Sequence, residues 1–242
     1  MNDSLTDGND EPGRPRQGGP PLPVLAAISL GLLLVGLAVA AAMGGIMPLP
    51  YGSDATILAY FQGHPAAVQA GAVGVFASSV PLAIYAATVS ARLRQLGVIA
   101  PGATIALVGG ILAAGGLGFS GLVVWTLSRP EVSADPALVR ALYYLVFLTG
   151  GTGHIVALGL LIAGVAVPGL IVGLLPRPVA WTGLVIAAIA ELTTLVLIWP
   201  ALAVLLPVAR FTGFIWLIVA GALLPLRRRR KNEAVPAGGP QS

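Results

Sequence analysis

The sequence predicts an all-α, polytopic membrane protein, a bundle of six transmembrane helices with both termini in the cytoplasm. Three observations carry that reading. Of 242 residues, 57% are hydrophobic and 9% charged, against roughly 25% charged in an ordinary soluble domain. The apolar residues fall into runs close to the roughly 20 residues a helix needs to cross a bilayer. The basic residues segregate by side: Arg14, Arg16, Arg92, Arg94, Arg177, Arg227, Arg228, Arg229, Arg230 and Lys231 fall inside, and Arg129, Arg140 and Arg210 outside. Ten against three satisfies the positive-inside rule for a plasma-membrane protein with an even number of crossings. An odd number would destroy the alternation.

Residues 1–22 read as a polar, disordered tail, because their Gly, Pro and Asp lack the apolar side chains that offset chain ordering. The six-helix domain covers residues 23–227, and residues 228–242 form a basic and then disordered tail. The first span runs from about Val24 to Met43. Its Ala38-Val39-Ala40 has the look of a signal-peptidase site, but the long leader carries Asp10 and Glu11, so an uncleaved span is expected. After an outer loop, Pro65 opens a second span to about Ala91, with a kink expected at Pro81.

The third span covers Gly102 to about Leu127, and Gly110, Ala114 and Gly118 form a small-residue face for close helix packing. Pro136 to Leu175 is too long for one perpendicular span. An outer helical extension carrying Arg140, Tyr143 and Tyr144 is expected, followed by a fourth span with His154 and a Pro168 kink. A fifth span from about Val179 to Trp199 holds Glu191, and a sixth from about Val208 to Leu226 ends in the Arg227 to Lys231 cluster. Tyr51, Tyr60, Trp125 and Trp199 lie near outer ends and Trp181 near an inner end, the places of interfacial aromatic belts.

Composition narrows the chemistry. With no cysteine, disulfides, thiolate metal sites and thiol nucleophiles are excluded. Twelve Arg to one Lys, with abundant Ala, Gly and Pro, points to a GC-rich bacterial genome. The net charge of +4 sits at helix ends and in one terminal cluster rather than along a face, so the expected partner is the lipid bilayer and not nucleic acid. Other membrane subunits or a second copy are the remaining partners. The Arg227, Arg228, Arg229, Arg230 and Lys231 cluster suits anionic lipid as well as it sets orientation.

Glu191 is the one carboxylate deep inside a span, and an intramembrane carboxylate is expensive unless it has a partner or a task. At about 1.5 Å per residue it stands roughly 21 Å above Arg177, while Arg210 stands roughly 24 Å above Leu226. The two are level, so an ion pair between the fifth and sixth spans is the leading expectation. Arg210 reaching outward past a protonated Glu191 is a second arrangement, and a proton or substrate relay through Glu191 a third.

His154 follows Gly150-Gly151-Thr152-Gly153, a run without the spacing or lysine of a phosphate loop. No cofactor is expected. A hydrogen-bonded structural histidine is favoured over a titrating one. No metal site is expected either, since His64 and His154 do not form a helical pair. Asp54 and His64 share an outer loop and are read as solvated.

Gly118-Phe119-Ser120-Gly121 resembles the Gly-x-Ser-Gly of rhomboid intramembrane proteases, whose serine works with a histidine. Here Ser120 and His154 fall on the third and fourth spans instead of the fourth and sixth, and no span contains the family's asparagine. A hydrolase is therefore the weakest reading, and Ser120 is expected to bond to its own helix backbone.

Leu174-Leu175-Pro176-Arg177 with Trp181 and Gly183, then Trp216-Leu217-Ile218 with Gly221, resemble the bacterial integral-membrane family called domain of unknown function 4386. The segment Pro81 to Leu96 is similar to actinobacterial membrane proteins of the same kind. The resemblance implies a six-helix bundle and supplies no activity or catalytic residue. The expected role is a structural, accessory or sensory membrane component without enzymatic activity, with a small proton-coupled permease using Glu191 as the alternative.

Overall fold

The computed structural model describes residues 19–99 and 101–226. The expected disordered tails and the Arg227 to Lys231 cluster therefore lie outside the described residues, apart from the few that join them to the bundle.

Among the described residues the chain is helical with no strand. The elements are α1 (Leu22–Gly44), α2 (Asp54–Gly63), α3 (Pro65–Gln95), α4 (Gly102–Leu127), the single turn α5 (Pro130–Ser133) and α6 (Pro136–Val146). A π-helical segment (Phe147–Gly153) leads into α7 (His154–Ile171); α8 (Arg177–Leu192) ends in a 3₁₀ turn (Thr193–Leu197), and a second 3₁₀ turn (Pro200–Val204) opens α9 (Leu205–Leu223). Six of the resulting rods are long and apolar enough to cross a bilayer: Leu22–Gly44, Pro65–Gln95, Gly102–Leu127, Pro136–Ile171, Arg177–Leu197 and Pro200–Leu223. The protein is thus a six-helix, multi-pass membrane protein. The expected spans are all present, with two refinements. The expected outer loop contains the helix α2, capped by the Ser53 hydroxyl accepting from the Thr56 amide at 3.3 Å. The expected extension around Arg140 is α6, capped by Asp135 accepting from the Ala137 and Leu138 amides.

The first and last described helices meet where both approach the chain ends. A side chain on Gly221 would run into Leu22 at 2.9 Å and the Pro23 backbone at 3.1 Å. That end of the bundle is called proximal below, and the end carrying α2, α5 and α6 distal.

Small residues draw the rods together, since lipid provides no hydrophobic force between helices. Gly36 of α1 and Gly74 of α3 touch backbone to backbone, and a Cβ on Gly36 would sit 2.6 Å from the Gly74 Cα. The expected face of α4 packs on α3, Gly110 against Ala86 and Gly118 against Ser79. A second glycine face on α4, Gly102, Gly109 and Gly116 at seven-residue spacing, packs on α7 and the π segment. Pro81 does not end α3. Its ring removes one donor and crowds the preceding turn, and there the Ser29 hydroxyl of α1 donates to the Ser78 carbonyl at 2.6 Å.

Candidate functional site

A cavity of about 530 Å³ lies in the distal half, between α1, α3, α4, the π segment and the start of α9. Its walls are apolar, with Leu33, Leu37 and Ala40 from α1, Leu117 and Val124 from α4, and Leu206 from α9. Its volume falls within the roughly 300–1,000 Å³ of small-molecule sites. The extended stretch Gly45 to Leu49 also lines it, entered through Gly45 at φ +77° with no Cβ to clash.

That stretch is held in place by α6. Arg140 donates through Nη1 to the Pro50 carbonyl at 2.6 Å and through Nη2 to the Gly52 carbonyl at 3.1 Å, and it pairs with Asp54. Tyr143 donates to the Pro48 carbonyl, and Tyr60 to the Gly45 carbonyl at 3.5 Å. Tyr60 is therefore not an exposed belt residue: it is buried against the distal loop, and burial pushes its phenol above the usual range. Trp125, Trp181 and Trp199 are exposed. Asp54 is committed to Arg140, and His64 Nδ1 lies 3.3 Å from the Tyr60 carbonyl, so the two do not share a site.

The cavity contains one formal charge, Arg210, whose Nη2 donates to the Gly150 carbonyl. Its Nε is buried with no partner. The π turn that presents Gly150 is a wider coil than an α-helix, a form that recurs at functional sites. No phosphate loop is made here; the glycines bring Ser120 and Arg210 close to the helix backbone.

The ion pair between Glu191 and Arg210 is not formed. The one ion pair among the described residues joins Arg140 and Asp54. The expectation rested on equal depth of the two α-carbons, but side-chain direction decides. Arg210 reaches to Gly150, whereas Glu191 Oε1 lies beside Gly159, 3.4 Å from where a Cβ there would stand. Nine residues along the same rod separate those two levels by roughly 13 Å. Glu191 is exposed on the flank of the bundle and does not line the cavity. Arg210 is turned into the cavity, with its guanidinium on the Gly150 carbonyl.

No protein-family model, curated protein or solved structure matches this chain. The site is therefore read from its own geometry.

His154 is fully buried, its Nδ1 2.8 Å from the Ala113 carbonyl and its ring stacked on Phe214 with centroids 6.3 Å apart. A carbonyl only accepts, so Nδ1 carries the proton, and Nε2 is left with a bare lone pair and no partner. Ser120 makes no bond to its own helix; it packs against Gly150 and lines the cavity. The His154 backbone stands beside Gly116, about one turn of α4 from Ser120, and among the described residues no hydrogen bond joins the two side chains. The two do not form a nucleophile and base pair. The resemblance residues of the last spans do come together: the Trp216 indole N–H donates to the Val179 carbonyl at 2.8 Å, and its ring fills the notch left by Gly183. Among the described residues no three His, Asp or Glu side chains gather around a common point.

The cavity itself was not legible in the sequence. One signal pointed to its head, a lone arginine near the start of an apolar span following a run of glycines in the preceding sequence. The walls are ordinary Leu, Val and Ala, indistinguishable from packing residues until the helices are placed.

Proposed function

We propose that this chain is a plasma-membrane protein with both termini cytoplasmic, serving without enzymatic activity as a sensory or accessory component, with the Arg210 cavity as its working site. The observation that carries the reading is the cavity: a sizeable apolar space closed on one side by an anchored loop and holding, among the described residues, one cation without an ion-pair partner. Sensing or escorting a membrane-soluble molecule needs no more than that. Hydrolysis needs an activated nucleophile, and among the described residues Ser120 and His154 are not hydrogen-bonded. Proton-coupled transport through Glu191 needs that residue on a path, and it lies outside the cavity. Partners suited to this reading are the bilayer and other membrane subunits or a second copy. The resemblance to family 4386 agrees with the bundle and adds no activity.

Two experiments test it. The chain has no native cysteine, so single cysteines report sidedness cleanly. Asn2→Cys and Gln241→Cys are expected to react with an impermeant maleimide only after cells are opened, and Tyr51→Cys in intact cells; the reverse pattern overturns the orientation. A fluorophosphonate is expected to leave Ser120 unlabelled in native membranes, and stoichiometric labelling abolished by Ser120→Ala would replace the reading with a hydrolase.

A further inference from the structure

Resting on the reading of the Arg210 cavity as the working site, we propose that it holds a single-chain fatty acid, with the carboxylate on Arg210 and the chain along the walls of α1 and α4. The first argument is charge. Arg210 has no carboxylate within 4.0 Å among the described residues, its Nε is buried without a partner, and one of its five donors is spent on Gly150. A guanidinium in apolar surroundings requires an anion or a polar cage. A carboxylate supplies two acceptors matched to the guanidinium fork.

The second argument is the number of charges. One cation balances one carboxylate, whereas a phosphate monoester brings nearly two negative charges and the cavity has no second cation among the described residues. The third is the position of the remaining polar groups. The Tyr60 and Tyr143 hydroxyls are occupied by the Gly45 and Pro48 carbonyls. Ser120, packed on the same Gly150 that binds Arg210, makes no hydrogen bond and faces the cavity. Head recognition therefore converges on Arg210 and Ser120, and everything beyond them is hydrocarbon.

The route in is lateral. Leu37 at the distal part of α1 and Ile46 and Leu49 in the loop after it line the cavity, yet they are 41%, 90% and 68% exposed. A molecule already dissolved in the bilayer enters between them. Lipid tails are as apolar as the walls, so the chain alone gains little over the membrane. Selection falls on the head.

The test uses full-length protein in phosphatidylcholine nanodiscs and saturable binding of radiolabelled palmitate, competed by hexadecanol, hexadecyl phosphate and acetate. Palmitate is expected to bind at one site per chain. Hexadecanol and acetate are expected to compete at least about tenfold more weakly, the effect of losing a charge-assisted fork. Arg210→Gln should bring palmitate down to the level of hexadecanol, and Arg210→Lys should keep part of the preference. If Arg210→Gln does not fold, the comparison of palmitate with hexadecanol on the natural chain decides alone. Equal binding of palmitate and hexadecanol overturns the carboxylate while leaving an apolar-ligand cavity. Tighter binding of hexadecyl phosphate also overturns it. No saturable binding of any chain sinks both this proposal and the cavity as the working site.

Discussion

Glu191 and Arg210 show how a residue-level argument from sequence succeeds in one part and fails in another. Rise per residue placed both in the same part of the bilayer. What it left open was where a flexible three-carbon stem takes its charge, and that depends on which acceptor lies within reach. Gly150 offers a carbonyl from a π turn, and Arg210 takes it. The consequence is measurable. In a double-mutant cycle of Glu191→Gln and Arg210→Leu, the coupling should lie below about 0.5 kcal/mol, as for sites with no shared partner. Thermal unfolding in one detergent provides all four corners. A coupling of about 3 kcal/mol, the scale of a broken buried pair, would restore the ion pair. His154 was easier to place, because a buried imidazole needs a hydrogen-bond partner, and the Ala113 carbonyl of α4 provides one for Nδ1. Ser120 illustrates the opposite. A serine beside glycine usually bonds back to its own helix, and only the approach of Gly150 makes its surroundings different.

At the scale of elements, the spans were legible because bilayer thickness leaves a helix so little choice of length and composition. The Pro136 extension was legible for the same reason, being too long for one crossing. The π segment was not, since Phe147 to Gly153 reads equally well as packing glycines. Nor was the second face of α4, because seven-residue spacing within a glycine-rich helix matters only once α7 lies beside it. Packing of these faces makes a sharp prediction. Gly74→Leu puts a side chain into the Gly36 backbone, and it should cost about 1–3 kcal/mol or more in detergent unfolding, the range of core overpacking. Gly115→Leu is the matched control: nothing stands within 4 Å of its Cβ position, so the same substitution in a neighbouring helix should be nearly neutral. Equal losses for the two would mean that α1 and α3 are not in backbone contact.

For the whole molecule, the helices and their charges make separate contributions. Packing brings the start of α1 to the end of α9, Leu22 beside Gly221, and it would do so in either orientation. Which face meets the cytoplasm is a matter of the loops. Of the ten basic residues assigned inside, five belong to the cluster Arg227 to Lys231, and removing them leaves five against the three outside. The residual excess includes Arg14 and Arg16 before the first span, and the first helix usually dominates orientation. Replacing all five of the cluster by Gln should therefore leave the orientation of the natural chain unchanged. Adding Arg14→Gln and Arg16→Gln leaves three against three, and a mixed population is expected. Reporters fused to the two ends should report one face for the first variant and both faces for the second. Inversion by the first variant alone would show that the last loop, rather than the first, decides the orientation of this bundle.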